Sequence, residues 1–222
     1  MIALPEILKA ERNLMGSISI KFKGEQGEFE KAFSDIRAGI SWPIKALPGY
    51  VCILGLLAGT SHPAPASLVL LYEKEYPSYT DLLSDAYNRA HDLRFNLFLT
   101  DTGAVQWQAF NTEFSRRVRS LSSTTQIRLR HSYMAHDFRM GLDTVNRLGT
   151  AGAFVLPKTG ILAGQLKDMR PDSLDVDRPE HKFHAVNGFR FVVMELERER
   201  AKKAQVRRAG EPERQGDVKG WA

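Results

Sequence analysis

The stretch from Tyr50 to Tyr76, YVCILGLLAGTSHPAPASLVLLYEKEY, decides the fold of this chain. Its opening part, Tyr50 to Leu57, is an apolar run of strand length. A second run, Ser67 to Tyr76, is apolar at first and alternates between apolar and charged residues later. The intervening loop, Gly59 to Ala66, contains two prolines. A connection this short predicts that the two strands pair antiparallel.

The residues that follow predict a helix and then a third strand. Ser78 is a good helix cap with Asp81 three residues later, and leucine and alanine then recur at helical spacing. Arg94 to Thr100 returns as a strand and is followed at once by Asp101. Because a helix connects this strand to the earlier pair, it is free to lie parallel to one of the earlier strands.

The rest of the chain is assigned by the same patterns. Before the central stretch we predict a helix, a strand and a second helix, at Leu4 to Leu14, Ser17 to Lys23 and Glu28 to Ala38. After it we predict helices and short strands in alternation, at Ala104 to Leu121, Gln126 to Tyr133, Asp137 to Leu148, Gly152 to Leu156 and Glu180 to about Lys203. This order predicts an α/β fold with a mixed sheet and flanking helices.

Three motifs resemble a known family. Val51 to Leu56 resembles the first strand of ribonuclease H-like nucleases, and Phe98 to Asp101 resembles their central strand, which ends in an acid. Arg178 to Phe191 resembles the closing helix of the nuclease domain of phage terminase large subunits. The resemblance covers Tyr50 to Phe191 and implies three parts: an extension at residues 1–48, a ribonuclease H-like domain at 49–203 and a flexible charged tail at 204–222.

The resemblance also implies a metal-dependent chemistry that this sequence carries only in part. The family uses two metal ions held by several carboxylates. There is no Asp or Glu between Arg37 and Tyr72, so the acid expected near Leu54 to Leu56 is missing. Asp101 stays as the catalytic and metal-binding candidate, and Asn187 stands where the helix acid is expected. Asp177 and Glu180 lie just upstream and are the other catalytic candidates.

A basic segment supplies the candidate nucleic-acid contacts. Between Arg116 and Arg147 there are seven arginines and two aspartates, and arginine suits phosphate because its planar fork can donate two hydrogen bonds. A solvated basic surface is the competing explanation. The residues predicted to contact nucleic acid are Arg116, Arg117, Arg119, Arg128 and Arg130.

The leading hypothesis is a degenerate phage or prophage nuclease-like protein that binds DNA or assists DNA packaging with phage packaging proteins. No cofactor is then expected. A second hypothesis is an active nuclease that requires Mg or Mn, with Asp101 helped by Glu73, Glu75, Asp177 or Glu180. A third is a structural module that binds another protein. The single cysteine, Cys52, and the lack of a leader or membrane-spanning pattern predict a cytoplasmic protein without a membrane partner.

Overall fold

A computed structural model provides the coordinates of the chain. It describes residues 8–12, 18–22, 31–44, 47–60, 64–93, 95, 97–100, 112, 116, 128–131, 137–170, 174 and 179–210. The strands are β1 Leu8–Arg12, β2 Ile18–Phe22, β3 Phe33–Ser41, β4 Gly49–Leu57, β5 Leu68–Tyr76, β6 Leu97–Thr100, β7 Arg128–His131 and β8 Phe154–Val155. The main helices are α1 Tyr79–Asp92, α2 Phe138–Thr150, α3 Ile161–Asp168, α4 Pro179–Lys182 and α5 His184–Gly210.

The strands form one mixed sheet in the order β1-β2-β5-β4-β3-β6-β7, with β8 beside β5. The strands β3, β4 and β5 are antiparallel neighbours, whereas β6 and β7 run parallel to β3. The predicted α/β class with a mixed sheet and flanking helices is confirmed. The predicted domain boundary at residue 48 falls between β3 and β4, which are hydrogen-bonded neighbours.

Two predicted helices are wrong. The first, Leu4 to Leu14, contains β1, which pairs antiparallel with β2. The second, Glu28 to Ala38, overlaps β3, the strand at the centre of the sheet. Phe33 and Ile36 matched a helical spacing, but β3 is covered on both faces by other elements. A strand buried on both faces has no polar side to reveal its period of two.

The sheet has a hydrophobic core on each face. On one face α1 packs through Leu82, Leu83 and Ala86 against strand residues such as Val51 and Ile53. On the other face α2, α3 and α5 cover Tyr50, Cys52, Leu54, Leu68 and Leu70. Consecutive residues of β4 enter different cores, which explains why the whole strand is apolar.

A β-bulge in β5 decides where its charged residues lie. Ile53 pairs with Tyr72 and Leu54 pairs with Leu70, so Leu71 has no partner of its own in β4. Leu71 and Tyr72 both belong to the core on the α1 side. The extra residue reverses the alternation from there on. Glu73 therefore lies on the face covered by α3 and α5.

The last helix rests directly on the backbone of β3. A Cβ atom added at Gly39 would lie 1.9 Å from the carbonyl oxygen of Gly188, so only a glycine fits. The contact runs along β3, where Val192 is the next α5 side chain beside Gly39. This approach fixes how high α5 sits above the central strand. No helix in the described part of the chain is both long enough and apolar enough to cross a membrane.

Candidate functional site

Four central strands bring their ends together at one edge of the sheet, which we call the carboxyl edge. Ile40 of β3 is in register with Thr100 of β6, so both parallel strands end there. Ser41 pairs with Tyr50 at the start of β4, and Tyr50 pairs with Glu75 near the end of β5. Polar groups at such an edge are the usual site of chemistry in α/β proteins. The first turns of α5 lie over this edge.

A chain of hydrogen bonds links β3 to α5 at the carboxyl edge. Asn187 donates from Nδ2 to the hydroxyl of Ser41 at 3.4 Å, and its Oδ1 accepts from Nε of Arg190 at 2.9 Å. Because a guanidinium can only donate, the Arg190 contact fixes which end of the amide is the oxygen. Ser41, Asn187 and Arg190 are 5%, 1% and 1% exposed. The resemblance implies an acid at the position that Asn187 occupies, and the described contacts of Asn187 are those of a neutral amide.

Arg190 is held from several sides. Its guanidinium lies 5.1 Å from the ring centre of Phe138 and 4.7 Å from that of Phe191. Nη1 donates to the backbone oxygen of Asp137 at 3.3 Å. Asp137 is also the N-cap of α2, since its side chain accepts from the amide of Met140 at 2.8 Å. Arg190 thus joins α2, α5 and the carboxyl edge into one rigid unit.

Glu73 is a buried structural carboxylate. It accepts hydrogen bonds from the Tyr50 hydroxyl at 2.7 Å and from the amides of Ile161 and Leu162 at 3.1 and 2.9 Å. Burial raises the pKa of Tyr50 well above its ordinary value, with Cys52 and Glu73 adding to the effect, so the hydroxyl keeps its proton and can donate. The carboxylate caps the start of α3 and ties it to the sheet.

Glu75 forms a second polar cluster with His184 and Gln165. Oε1 of Gln165 accepts from the amides of Ala185 and Val186 at 2.9 and 3.4 Å, so the amide nitrogen of Gln165 must face Nδ1 of His184 at 3.3 Å. Nδ1 then accepts, and Nε2 donates to Glu75 at 2.6 Å. Both ring nitrogens are therefore engaged within this cluster.

These contacts correct the predicted roles of Glu73 and Glu75. Glu73 is 0% exposed and bound to α3, whereas the Glu75 side chain is 38% exposed and bound to His184 of α5. Two strands separate β5 from β6, which puts the two strands about 14 Å apart. Two-metal sites hold their ions about 4 Å apart. The described partners of the two glutamates lie on β4, α3 and α5 rather than on β6.

The strand beside β6 is also not the one predicted. The sequence placed the family's first strand at Val51 to Leu56, whereas β3 is the strand that pairs with β6. β3 does carry an acid, Asp35, but at its other end. Asp35 precedes Ser41 by six residues, a distance of about 20 Å along an extended strand. There it binds Arg37 at 2.5 Å, and Arg37 also binds Glu199 of α5 at 2.7 Å.

The structure describes only some of the remaining candidates. Asp101, Asp177, Arg117 and Arg119 lie outside the described residues. Glu180 belongs to α4, Arg116 is exposed and helical, and Arg128 and Arg130 are two residues apart in β7. Among the residues that are described, no group of three or more His, Cys, Asp or Glu side chains could hold a metal ion.

Sequence analysis missed the residues that organise the edge. Ser41 and Gln165 carry no motif, because each acts through a partner far away in the chain. Arg190 lies within the closing-helix motif, but its role there was not predicted. For Arg190 one local signal exists: its two aromatic neighbours in sequence, Phe189 and Phe191, are both fully buried, as is the arginine between them. An arginine inside an apolar helical run is rarely a surface residue.

Comparison with known proteins adds the following. No family model and no curated protein matches this chain. It is similar in structure to the nuclease domain of the large terminase of bacteriophage SPP1, solved with bound Mn, at 12% identity over 74% of this chain and 89% of that chain, with a TM-score of 0.44. Terminase nucleases are also the kind of protein that the sequence motifs resemble.

A viral enzyme gives a similar result. The Holliday junction resolvase of fowlpox virus, solved with its junction DNA, is 9% identical over 73% of this chain and 97% of that chain, with a TM-score of 0.38. In another structure of the resolvase the identity is 10% and the TM-score 0.40 over the same shares. Likenesses this distant concern the fold, and they assign no chemistry to residues of this chain.

Proposed function

We propose that this chain is a nuclease-like protein of phage type that binds nucleic acid and has lost metal-dependent cutting. The observation that carries the proposal is the Ser41–Asn187–Arg190 chain at the carboxyl edge. The sequence resemblance places the metal-binding centre of the family at this edge. In this protein the described side chains where Ser41 meets α5 are a hydroxyl, an amide and a guanidinium. The Glu75 carboxylate at the same edge is bound to His184.

These groups suit divalent cations poorly. Mg²⁺ and Mn²⁺ prefer oxygen ligands, and carboxylates supply the charge that offsets the loss of their water shell. Ser41 and Asn187 bring oxygen without charge, and the amide oxygen already accepts from Arg190. A buried guanidinium in contact with this amide repels a second positive charge, and burial weakens solvent screening. Among the described residues of β3, Asp35 is an acid, but it lies at the far end of the strand.

The nucleic-acid part of the proposal rests on β7. Arg128 and Arg130 are placed two residues apart on this strand, so they share one face of the sheet. β7 is the last strand in the described sheet order on that side, next to β6. Exposed Arg116 belongs to the same basic segment, whereas Arg147 is engaged with Glu197 at 2.6 Å. DNA packaging with phage partners is the setting that the terminase resemblance suggests.

Two measurements test the proposal. In the first, fluorescence anisotropy follows binding of a labelled DNA duplex from about 50 to 200 mM salt, where phosphate contacts predict a steep loss of affinity. The variant Arg128→Gln/Arg130→Gln is expected to bind more weakly. The control Lys158→Gln/Lys167→Gln removes the same charge from two exposed lysines elsewhere. Equal binding by both variants would contradict the role of β7.

The second measurement separates this proposal from the active-nuclease hypothesis. Plasmid DNA incubated with the protein and Mg²⁺ or Mn²⁺ is expected to stay intact. Cleavage that disappears in Asp101→Asn would instead establish an active enzyme with a rearranged site. A protein that neither binds DNA at low salt nor cuts it, but purifies with another protein, would favour the structural-module hypothesis.

A further inference from the structure

The last helix changes character along its length. Its first part lies on the sheet, and Phe189, Phe191, Val192 and Val193 are buried. Residues 201–206 are all exposed, and Val206 is 72% exposed. The end of α5 therefore extends past the body of the protein. Lys202 lies about 22 Å from Asn187 along the helix axis.

The acidic residues of α5 are bound close to the body. Glu195 is 1% exposed and binds Arg198 at 2.5 Å. Glu197 binds Arg147 of α2 at 2.6 Å, and Glu199 binds Arg37 of β3 at 2.7 Å. The two contacts from Glu197 and Glu199 reach different elements, so they hold the direction in which the helix leaves the body. Opposite charges at close spacing between Glu195 and Lys203 are typical of a solvent-exposed helix, but Glu195 is buried.

Beyond these glutamates the only charged residues of the helix are basic. Residues 201–210, AKKAQVRRAG, contain four basic residues and no acid. We call this segment the basic extension. Lys202 and Lys203 are exposed, and Arg207 and Arg208 follow in the same helix. Adjacent helical positions lie about 100° apart, so the two pairs spread positive charge around the helix.

We propose that the basic extension binds the phosphate backbone of nucleic acid, as a second contact remote from the carboxyl edge. This inference rests on the proposed nucleic-acid function and deepens it. A protein partner would require an apolar centre, and Val206 is the one large apolar side chain in the extension. A second copy of the chain would bring four like charges against four. A polyanion complements the charge on all sides of the helix.

The cations also have a local effect, because positive charge near a helix C-terminus is favoured by the helix dipole. That effect predicts a more stable helix end but no change in DNA affinity. The two explanations therefore differ in a binding measurement. A matched comparison at constant net charge also separates a local contact from general attraction by a basic protein.

The test compares two quadruple variants with the full-length wild type. The first is Lys202→Gln/Lys203→Gln/Arg207→Gln/Arg208→Gln. The control, Lys31→Gln/Lys158→Gln/Lys167→Gln/Lys182→Gln, changes four exposed lysines elsewhere. Each variant lowers the formal charge from +5 to +1. Glutamine keeps a helix propensity close to that of lysine and arginine, and circular dichroism checks that both variants fold.

Affinity for a labelled DNA duplex is measured against salt. If the extension contacts up to four phosphates, the slope of log K against log salt falls in magnitude by about 3 to 4 in the first variant, with at least about a tenfold loss of affinity at low salt. The control keeps a slope close to that of the wild type. Equal slopes for the first variant and the wild type overturn the inference, and so do equal losses in both variants.

The outcome stays distinct from that of the proposed function. If the wild type binds DNA and the first variant binds equally well, the basic extension has no role in binding, and the proposed function still holds. If the wild type does not bind DNA even at low salt, both the proposed function and the role of the basic extension are contradicted. A first variant that loses its affinity while Arg128→Gln/Arg130→Gln keeps it would place the main contact on α5 rather than β7.

Discussion

An arginine lies near each end of β3, Arg190 of α5 at the carboxyl edge and Arg37 of β3 at the far end, but their surroundings differ. At the carboxyl edge Arg190 contacts an amide, a backbone carbonyl and two aromatic rings. At the far end Arg37 contacts two carboxylates, Asp35 and Glu199. β3 thus has its acid, Asp35, near its start, whereas the end of β6 lies beside the end of β3. Position along the strand, rather than the presence of an acid, decides whether a carboxylate can join a site at the carboxyl edge.

The far end is an ion-pair cluster. Burial lowers the pKa of Arg37, but hydrogen bonds and charge from Glu199 and Asp35 outweigh burial and raise it above its ordinary value. The guanidinium therefore keeps its charge at any pH where the protein folds. Around Arg190 the described contacts include Asn187, the backbone oxygen of Asp137 and the rings of Phe138 and Phe191.

The largest effect is expected at the carboxyl edge. Arg190→Ala removes a fully buried side chain, its stacking and its hydrogen bonds, and should lower the free energy of unfolding by about 3 to 5 kcal/mol. Urea unfolding measures the change. As a control, Arg200→Ala removes an arginine that is 49% exposed and should cost less than about 0.5 kcal/mol. If both variants unfold alike, Arg190 does not hold the edge together.

A smaller effect is expected at the far end. Arg37→Ala leaves Asp35 and Glu199 close together without their shared cation, but these side chains are 34% and 29% exposed. Solvent screens part of the repulsion, so a loss of about 2 kcal/mol is expected. Combining it with Glu199→Ala should cost less than the sum of the two single losses, because the two residues interact. Strict additivity would show that the pair in the structure contributes nothing.

Asn187→Asp tests what an added acid does at the carboxyl edge. The new carboxylate would accept a stronger, charge-assisted bond from Arg190, and the cost of burying its charge opposes that gain. The free energy of unfolding should change by less than about 1 kcal/mol. Melting temperature measured with and without Mn²⁺ should not differ, because Arg190 would bind and neutralise the new carboxylate. A clear rise with Mn²⁺ would favour the active-nuclease hypothesis.

The smallest effect is expected from Asp35→Asn. Arg37 keeps Glu199, and Asp35 is one-third exposed, so the loss should be below about 0.5 kcal/mol. DNA affinity should equal that of the wild type, since the described partner of Asp35 is Arg37 and Asp35 lies about 20 Å from the carboxyl edge. A loss of DNA binding in Asp35→Asn, with stability retained, would reverse the comparison between the two ends.

The elements that were predicted correctly are those whose apolar pattern begins and ends at clear turn or capping residues. The strand at Tyr50 to Leu57 and the helix capped by Ser78 are confirmed, and the Ser78 hydroxyl accepts from the amide of Asp81 at 3.1 Å. β3 was missed because Phe33 and Ile36 fit a helical spacing, and Asp35 and Arg37 interrupt the apolar run that marks β4. Because β3 was not predicted as a strand, the first strand of the family was assigned to Val51 to Leu56. That segment belongs to β4, which is separated from β6 by β3.

The candidate site was harder to predict because its contacts join distant parts of the chain. Asn187 was singled out correctly as a position on the closing helix, but its partner Ser41 lies 146 residues earlier. The roles of Glu73 and Glu75 depend on an extra residue in β5 that no periodicity reveals. A local pattern can place a residue on an element, whereas register and bulges decide what that residue meets.

The contact between Gly39 and Gly188 has a consequence for how mutations in this protein are interpreted. Any side chain at residue 39 would push the helix off the strand, since its first carbon would overlap the Gly188 carbonyl. In a saturation screen for DNA binding, substitutions at position 39 would therefore be as damaging as substitutions of a residue that contacts the ligand. Its intolerance would report the seating of a helix, and only a parallel measurement of folded protein would reveal the difference.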